Sequence, residues 1–156
     1  MHMTWSERLT ELNIVLPKVV APLAAYVPAV QSGNLVYTSG QLPMLGGELT
    51  AHGKVSEGAE GVVRPDVAAD AARFCALNAL AAIDALVGID SIKRIVKVVG
   101  FVASAPGFTG QPAVINGASH LLGEIFGEAG AHARSAVGVA ELPLGAPVEV
   151  ELIVEV

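Results

Sequence analysis

The last nine residues, VEVELIVEV (148–156), alternate without interruption. Val148, Val150, Leu152 and Val154 fall on one parity, and Glu149, Glu151 and Glu155 on the other, beside Ile153. Successive side chains of a strand point to opposite faces, so the segment is a strand with an aliphatic side and a largely acidic side. The aliphatic side asks for a core. The acidic side is either a solvent face or a place where one glutamate works in a pocket.

The rest of the chain supplies the layer that such a strand needs. Residues 65–87 are almost all Ala, Leu and other helix formers, opened by Pro65 and stopped by Gly88. Asp66, Asp70, Arg73 and Asp84 fall near one stripe of this helix, its expected solvent side. Pro112 opens a second helix, with Ile115, Ala118, Leu122, Ile125 and Phe126 on one face and Gly127 at its end. A short amphipathic helix is expected over 4–12, where Thr4 and Glu7 have capping-box spacing; Pro17 and Pro22 then break the chain.

Strand signals fill the remainder. YVPAV (26–30) and NLVYTSG (34–40) flank a hairpin bend at Gly33. MLGGEL (44–49) is a turn, followed by a weak strand and the loop 56–62. Strands are expected near 95–102, 135–141 and 148–156, with LPLGA (142–146) turning between the last two. The order βββαβαββ, with an extra N-terminal helix, implies a two-layer α+β domain whose main helices share one sheet face. Residues 1–156 form one domain, in which 1–20 are the added helix and linker.

Composition narrows the function. The chain is 53% hydrophobic yet only 4% aromatic, and its mean hydropathy of +0.58 is high for a soluble protein. No run of about 20 apolar residues is present to span a membrane. The apolar surplus points instead to surface buried between subunits. Nine Lys plus Arg stand against fifteen Asp plus Glu, a net charge of −6. The close basic group is Lys93, Arg94 and Lys97, which is no obvious face for nucleic acid. The single Cys75 fits a reducing, cytoplasmic setting and reads as a buried, inert thiol. No phosphate-binding glycine loop is spaced correctly, and His52, His120 and His132 lack metal-ligand spacing. Neither a cofactor nor a metal is expected.

Two residues offer chemistry. Arg134, in HARSAVGV, stands where a bend meets an aliphatic strand. It is either an ion-pair partner at a surface or interface, or a planar clamp for a carboxylate. Glu149 is an ordinary solvent-facing glutamate unless a second subunit covers its face. Covered, its pKa rises and it becomes a proton-transfer group near neutral pH.

GNLVYTSGQLP (33–43), KVVGFVASAPGF (97–108) and ARSAVGVAELPLGAPVEVE (133–151) resemble the Rid family of imine deaminases, also known as RidA/YjgF or endoribonuclease L-PSP. The likeness runs from about Pro22 to the C terminus. It implies a chorismate-mutase-like fold and a homotrimer with ligand clefts between subunits. It further implies that Arg134 holds a substrate carboxylate and Glu149 activates water, with Tyr26, Ser39, Gly40 and Asn116 lining the cleft. The implied reaction converts small 2-imino acids or enamines to 2-oxo acids and ammonium. The alternatives are a trimer that binds small carboxylates without turnover, and RNA cleavage, which the acidic balance opposes. Ala136 replaces a cysteine common in the family, Ala24-Ala25 replaces a Gly-Pro pair, and the stretch between Gln41 and Pro65 is longer than in compact members.

Overall fold

The computed structural model describes residues 3–19, 25–58 and 62–156. Pro22, Ala24 and part of the loop at 56–62 lie outside them. The chain runs through α1 (Trp5–Glu11), β1 (Ala29–Ser32), β2 (Leu35–Thr38), β3 (Met44–Leu45), β4 (Glu48–Leu49), α2 (Pro65–Val87), β5 (Arg94–Ala103), α3 (Gln111–Phe126), β6 (Ala133–Val139) and β7 (Val148–Glu155). Five strands form one sheet in the order β1-β2-β7-β5-β6. All neighbours are antiparallel except β5 and β6. That parallel pair needs a crossover, which α3 provides.

The expected helix signals operate as written. Pro65 sits in the first turn of α2, and Gly88 ends it at φ +82°, its N–H donating to Asp84 O at 2.9 Å. The Asp84 carboxylate then accepts from Ile89 N, also at 2.9 Å. In α1 the capping box closes in both directions between Thr4 and Glu7. That short helix is held by tertiary contacts. Trp5 Nε1 donates to Ile92 O at 2.7 Å, and its ring meets Phe126 edge-on at 4.9 Å. Ser6 donates through both N–H and Oγ to Asp90, which holds that carboxyl below its ordinary pKa.

The strands differ from expectation in three places. β1 begins at Ala29 rather than Tyr26, because Pro28 brings no N–H to a ladder. The MLGGEL turn is a two-stranded ribbon of its own, outside the main sheet, with Gly46 and Gly47 both at positive φ as a tight primed turn requires. β6 begins at Ala133, so Arg134 lies inside the strand rather than before it.

The core lies between the sheet and the pair α2–α3. Val148, Val150, Leu152 and Val154 are at most 1% exposed, facing the alanine-rich side of α2 and the apolar side of α3. Small residues set the spacing of these layers. A β-carbon on Gly117 would lie 1.9 Å from the Ala69 carbonyl oxygen, so α3 crosses α2 in direct backbone contact. Gly100 makes similar room for Ile115. A bulge between Ile95 and Lys97 keeps Ile95, Val98, Gly100 and Val102 all on the core side. Glu149, Glu151 and Ile153 occupy the opposite, partly exposed face, with Tyr37 and Val30 exposed on β2 and β1. No helix among the described residues is long and apolar enough to cross a membrane.

Candidate functional site

The candidate residues divide into two clusters. The first is made by a mismatch at the end of β2. Tyr37 pairs with Ile153 and Gln41 with Val150, so one strand carries one residue more than its partner over this interval. Thr38 bridges the gap, its Oγ1 accepting from Leu152 N at 2.9 Å. The ladder resumes where Gln41 and Val150 exchange backbone bonds of 2.8 and 3.0 Å. Ser39 and Gly40 are thereby released from pairing with β7. Ser39 donates its N–H to Pro28 O at 2.8 Å and its hydroxyl to Val27 O at 2.6 Å. These bonds tie the bulge to the bend that carries Tyr26, which is half exposed.

Gly40 lies against Glu149. A β-carbon at position 40 would sit 2.8 Å from Glu149 Cδ and 3.0 Å from Oε2. The carboxylate therefore rests on a backbone with no side chain in its way. Partial burial raises the Glu149 pKa, and the neighbouring Glu151 raises it further by like-charge repulsion. Behind the sheet, Cys75 is fully buried. Desolvation first, and then the Glu149 charge, push its thiol well above the ordinary range, so it stays protonated as the sequence suggested.

The second cluster surrounds Arg134. Its β6 position is level with Val98 of β5, which turns the guanidinium toward α3. Nη1 donates to Asn116 Oδ1 at 2.7 Å and to Ser119 Oγ at 3.2 Å, and Nη2 donates to Pro112 O at 3.3 Å. Asn116 and Ser119 are three residues apart on α3 and so share a face. Both Nη1 hydrogens and one on Nη2 are engaged in these bonds. Nε–H has no partner among the described residues, and it shares an edge of the planar group with one Nη2 hydrogen, which is the geometry of a carboxylate fork. No carboxylate among the described residues forms an ion pair with Arg134.

Arg134 and Glu149 do not meet in one chain. β5 lies between β6 and β7. Glu149 is level with Phe101 on the outer face, whereas Arg134 points to the helix layer. Gly40 and Ser39 accompany the glutamate; Asn116 accompanies the arginine.

Ser119 escaped the sequence reading, and His132 entered it only as a histidine without metal-ligand spacing. Ser119 Oγ is 2.9 Å from His132 Nε2, and His132 Nδ1 is 2.6 Å from Gly130 O. The available signals were weak: Ser119 is one helical turn from Asn116, and His132 is two residues from Arg134 along an extended chain. Neither spacing distinguishes a functional pair from chance.

Residues 6–156 match the family model described as "YjgF/chorismate_mutase-like, putative endoribonuclease". The match includes all of α1 but its first residue, beyond the Pro22 boundary read from the motifs. Protein TCP17 of Trypanosoma cruzi is 45% identical over 155 residues, covering 94% of this chain and 91% of that protein. A 2-iminobutanoate/2-iminopropanoate deaminase of Dermatophagoides farinae is 34% identical, covering 90% and 93%. The crystal structure of Atu1372 from Agrobacterium tumefaciens, a protein of unknown function, superposes with a TM-score of 0.85 at 46% identity, covering 97% of this chain and 92% of that one. Matched along nearly its whole length in sequence and in fold, the chain belongs to the YjgF/chorismate mutase-like family, also called Rid.

Proposed function

We propose that this protein hydrolyses small 2-imino acids to 2-oxo acids and ammonium, in clefts that two copies of the chain complete. The observation that carries the reading is the braced guanidinium of Arg134, whose remaining edge has the shape of a carboxylate fork. The likeness to the mite deaminase supports the reaction class.

In this reading Arg134, steadied by Asn116, fixes the substrate carboxylate, and Glu149 serves the imine carbon. A protonated imine is already electrophilic, so the protein's task is to place a water and manage its proton. Glu149 takes a proton from water as its oxygen adds to the C=N carbon. The same proton then goes to nitrogen; as the C–N bond breaks, the hydroxyl gives its proton back to Glu149, leaving the 2-oxo acid, and that proton turns the departing ammonia into ammonium. The raised pKa of Glu149 suits both halves of this exchange. Gly40 leaves the place of the carboxylate free of any other side chain, and in this reading Tyr26 lines the cleft from the bend before β1.

Because Arg134 and Glu149 lie on opposite faces of one sheet, a second copy must bring the partner group. The outer face, where Val30, Tyr37 and Val137 are exposed beside the glutamates of β7, fits a symmetric trimer. The test measures native mass and ammonia release from freshly generated 2-iminopropanoate. Trimeric mass, turnover, a kcat loss in Glu149→Ala and a kcat/KM loss in Arg134→Ala are expected. A monomer, or a Glu149→Ala variant as fast as the parent, would refute the reading.

A further inference from the structure

We propose that His132 is a positioning residue for Arg134, acting through Ser119 to fix the guanidinium in the pose that receives a small 2-oxo or 2-imino acid. The inference rests on the reading of Arg134 as a carboxylate clamp and extends it to a residue pair with no part in the mechanism above.

The hydrogen-bond chain has one consistent polarity. Gly130 O can only accept, so at 2.6 Å His132 Nδ1 must carry the hydrogen. In the neutral ring Nε2 then holds a lone pair, and the Ser119 hydroxyl donates to it across 2.9 Å. With its hydrogen committed there, Ser119 Oγ turns a lone pair toward Arg134 Nη1 at 3.2 Å. A guanidinium can only donate, so with the neutral ring this arrangement satisfies all three contacts. Histidine thus converts a freely rotating hydroxyl into a directed acceptor.

The far end of the chain is equally fixed. A β-carbon on Gly130 would lie 2.4 Å from Leu122 O, so the carbonyl that orients His132 is pressed against α3. Gly130, His132, Ser119 and Arg134 therefore link the backbone of one helix end to the clamp. Asn116 holds one Nη1 hydrogen and the Ser119–His132 pair directs the other, which sets the plane of the group and the direction of its remaining edge.

The test is a double-mutant cycle on the full chain, read as calorimetric binding of 2-oxobutanoate. His132→Ala and Ser119→Ala should each weaken binding about tenfold, and the double variant should be no weaker than either single. In His132→Gln the side-chain carbonyl reaches the place of Nε2, so this variant should recover most of the affinity. A merely structural histidine would show additive losses and no rescue, and either result overturns the proposal. Should His132→Ala fail to fold, Ser119→Ala and His132→Gln decide it: the former must weaken binding and the latter must not. Unchanged affinity in His132→Ala, with binding abolished in Arg134→Ala, would reject the relay and leave the clamp standing. Unchanged affinity in Arg134→Ala would reject both.

Discussion

Gly40 and Glu149 are in direct contact: the glycine leaves open the volume that the carboxylate occupies, and a methyl group there would lie 2.8 Å from Glu149 Cδ. The φ of Gly40 is not among the positive values of this chain, so alanine meets no backbone strain at this position. Only the end of a flexible side chain must move. Gly40→Ala should therefore fold with a Tm within a few degrees of the parent while imine turnover drops about tenfold or more. A melting curve and an ammonia-release assay on one preparation check both halves.

The raised pKa of Glu149 has a stability consequence. A carboxyl whose folded pKa lies above its unfolded value binds its proton more tightly in the native state. It contributes stability that is fully present below the unfolded pKa and lost as pH rises through the folded one. Glu149→Gln removes this dependence. The variant should be at least as stable as the parent at pH 7 and lose that advantage toward pH 4, seen by denaturant melts across that range.

Arg134→Lys retains the charge and loses the fork. Lysine offers a single ammonium where the guanidinium is planar and braced at three points, so binding of a 2-oxo acid should weaken about 10- to 100-fold. Calorimetry at two salt concentrations checks this. A lysine variant that binds as tightly as the parent would show that charge alone suffices.

Gly117→Ala addresses the fold rather than the site. The added carbon would meet the Ala69 carbonyl at 1.9 Å, a backbone atom that cannot turn aside. Overpacking of this kind costs about 1–3 kcal/mol or more, which should lower Tm by roughly 2–12 °C or more for a chain of this size. Gly123→Ala, where nothing lies within 4 Å of the new carbon, is the control and should match or exceed the parent.

Local signals carried much of the fold. Pro65 and Gly88 bracket α2 because a ring at N1 and a glycine at positive φ are chemical requirements of helix ends, visible without any partner. The alternation of β7 placed Val148, Val150, Leu152 and Val154 in the core and the glutamates outside for the same reason. What stayed hidden depends on pairing across the chain. The parallel contact of β5 with β6 leaves no local mark, nor does the bulge at Val96. Among the candidate site residues, Arg134 and Glu149 stood out by their place beside an aliphatic strand, and Asn116 was named only through the resemblance. The separation of arginine from glutamate was not, because it follows from strand order. Ser119 and His132 were illegible because their meeting depends on how closely one helix end approaches a strand.

The surplus residue between Tyr37 and Gln41 gives the chain a length-sensitive element. Deleting any one position from that stretch would let the two ribbons zip straight through. Thr38 would then have no gap to bridge, and the floor beneath the acid would be pulled into ordinary pairing. Such a shortened protein should melt normally yet do no chemistry, an outcome that no single substitution of a side chain reproduces.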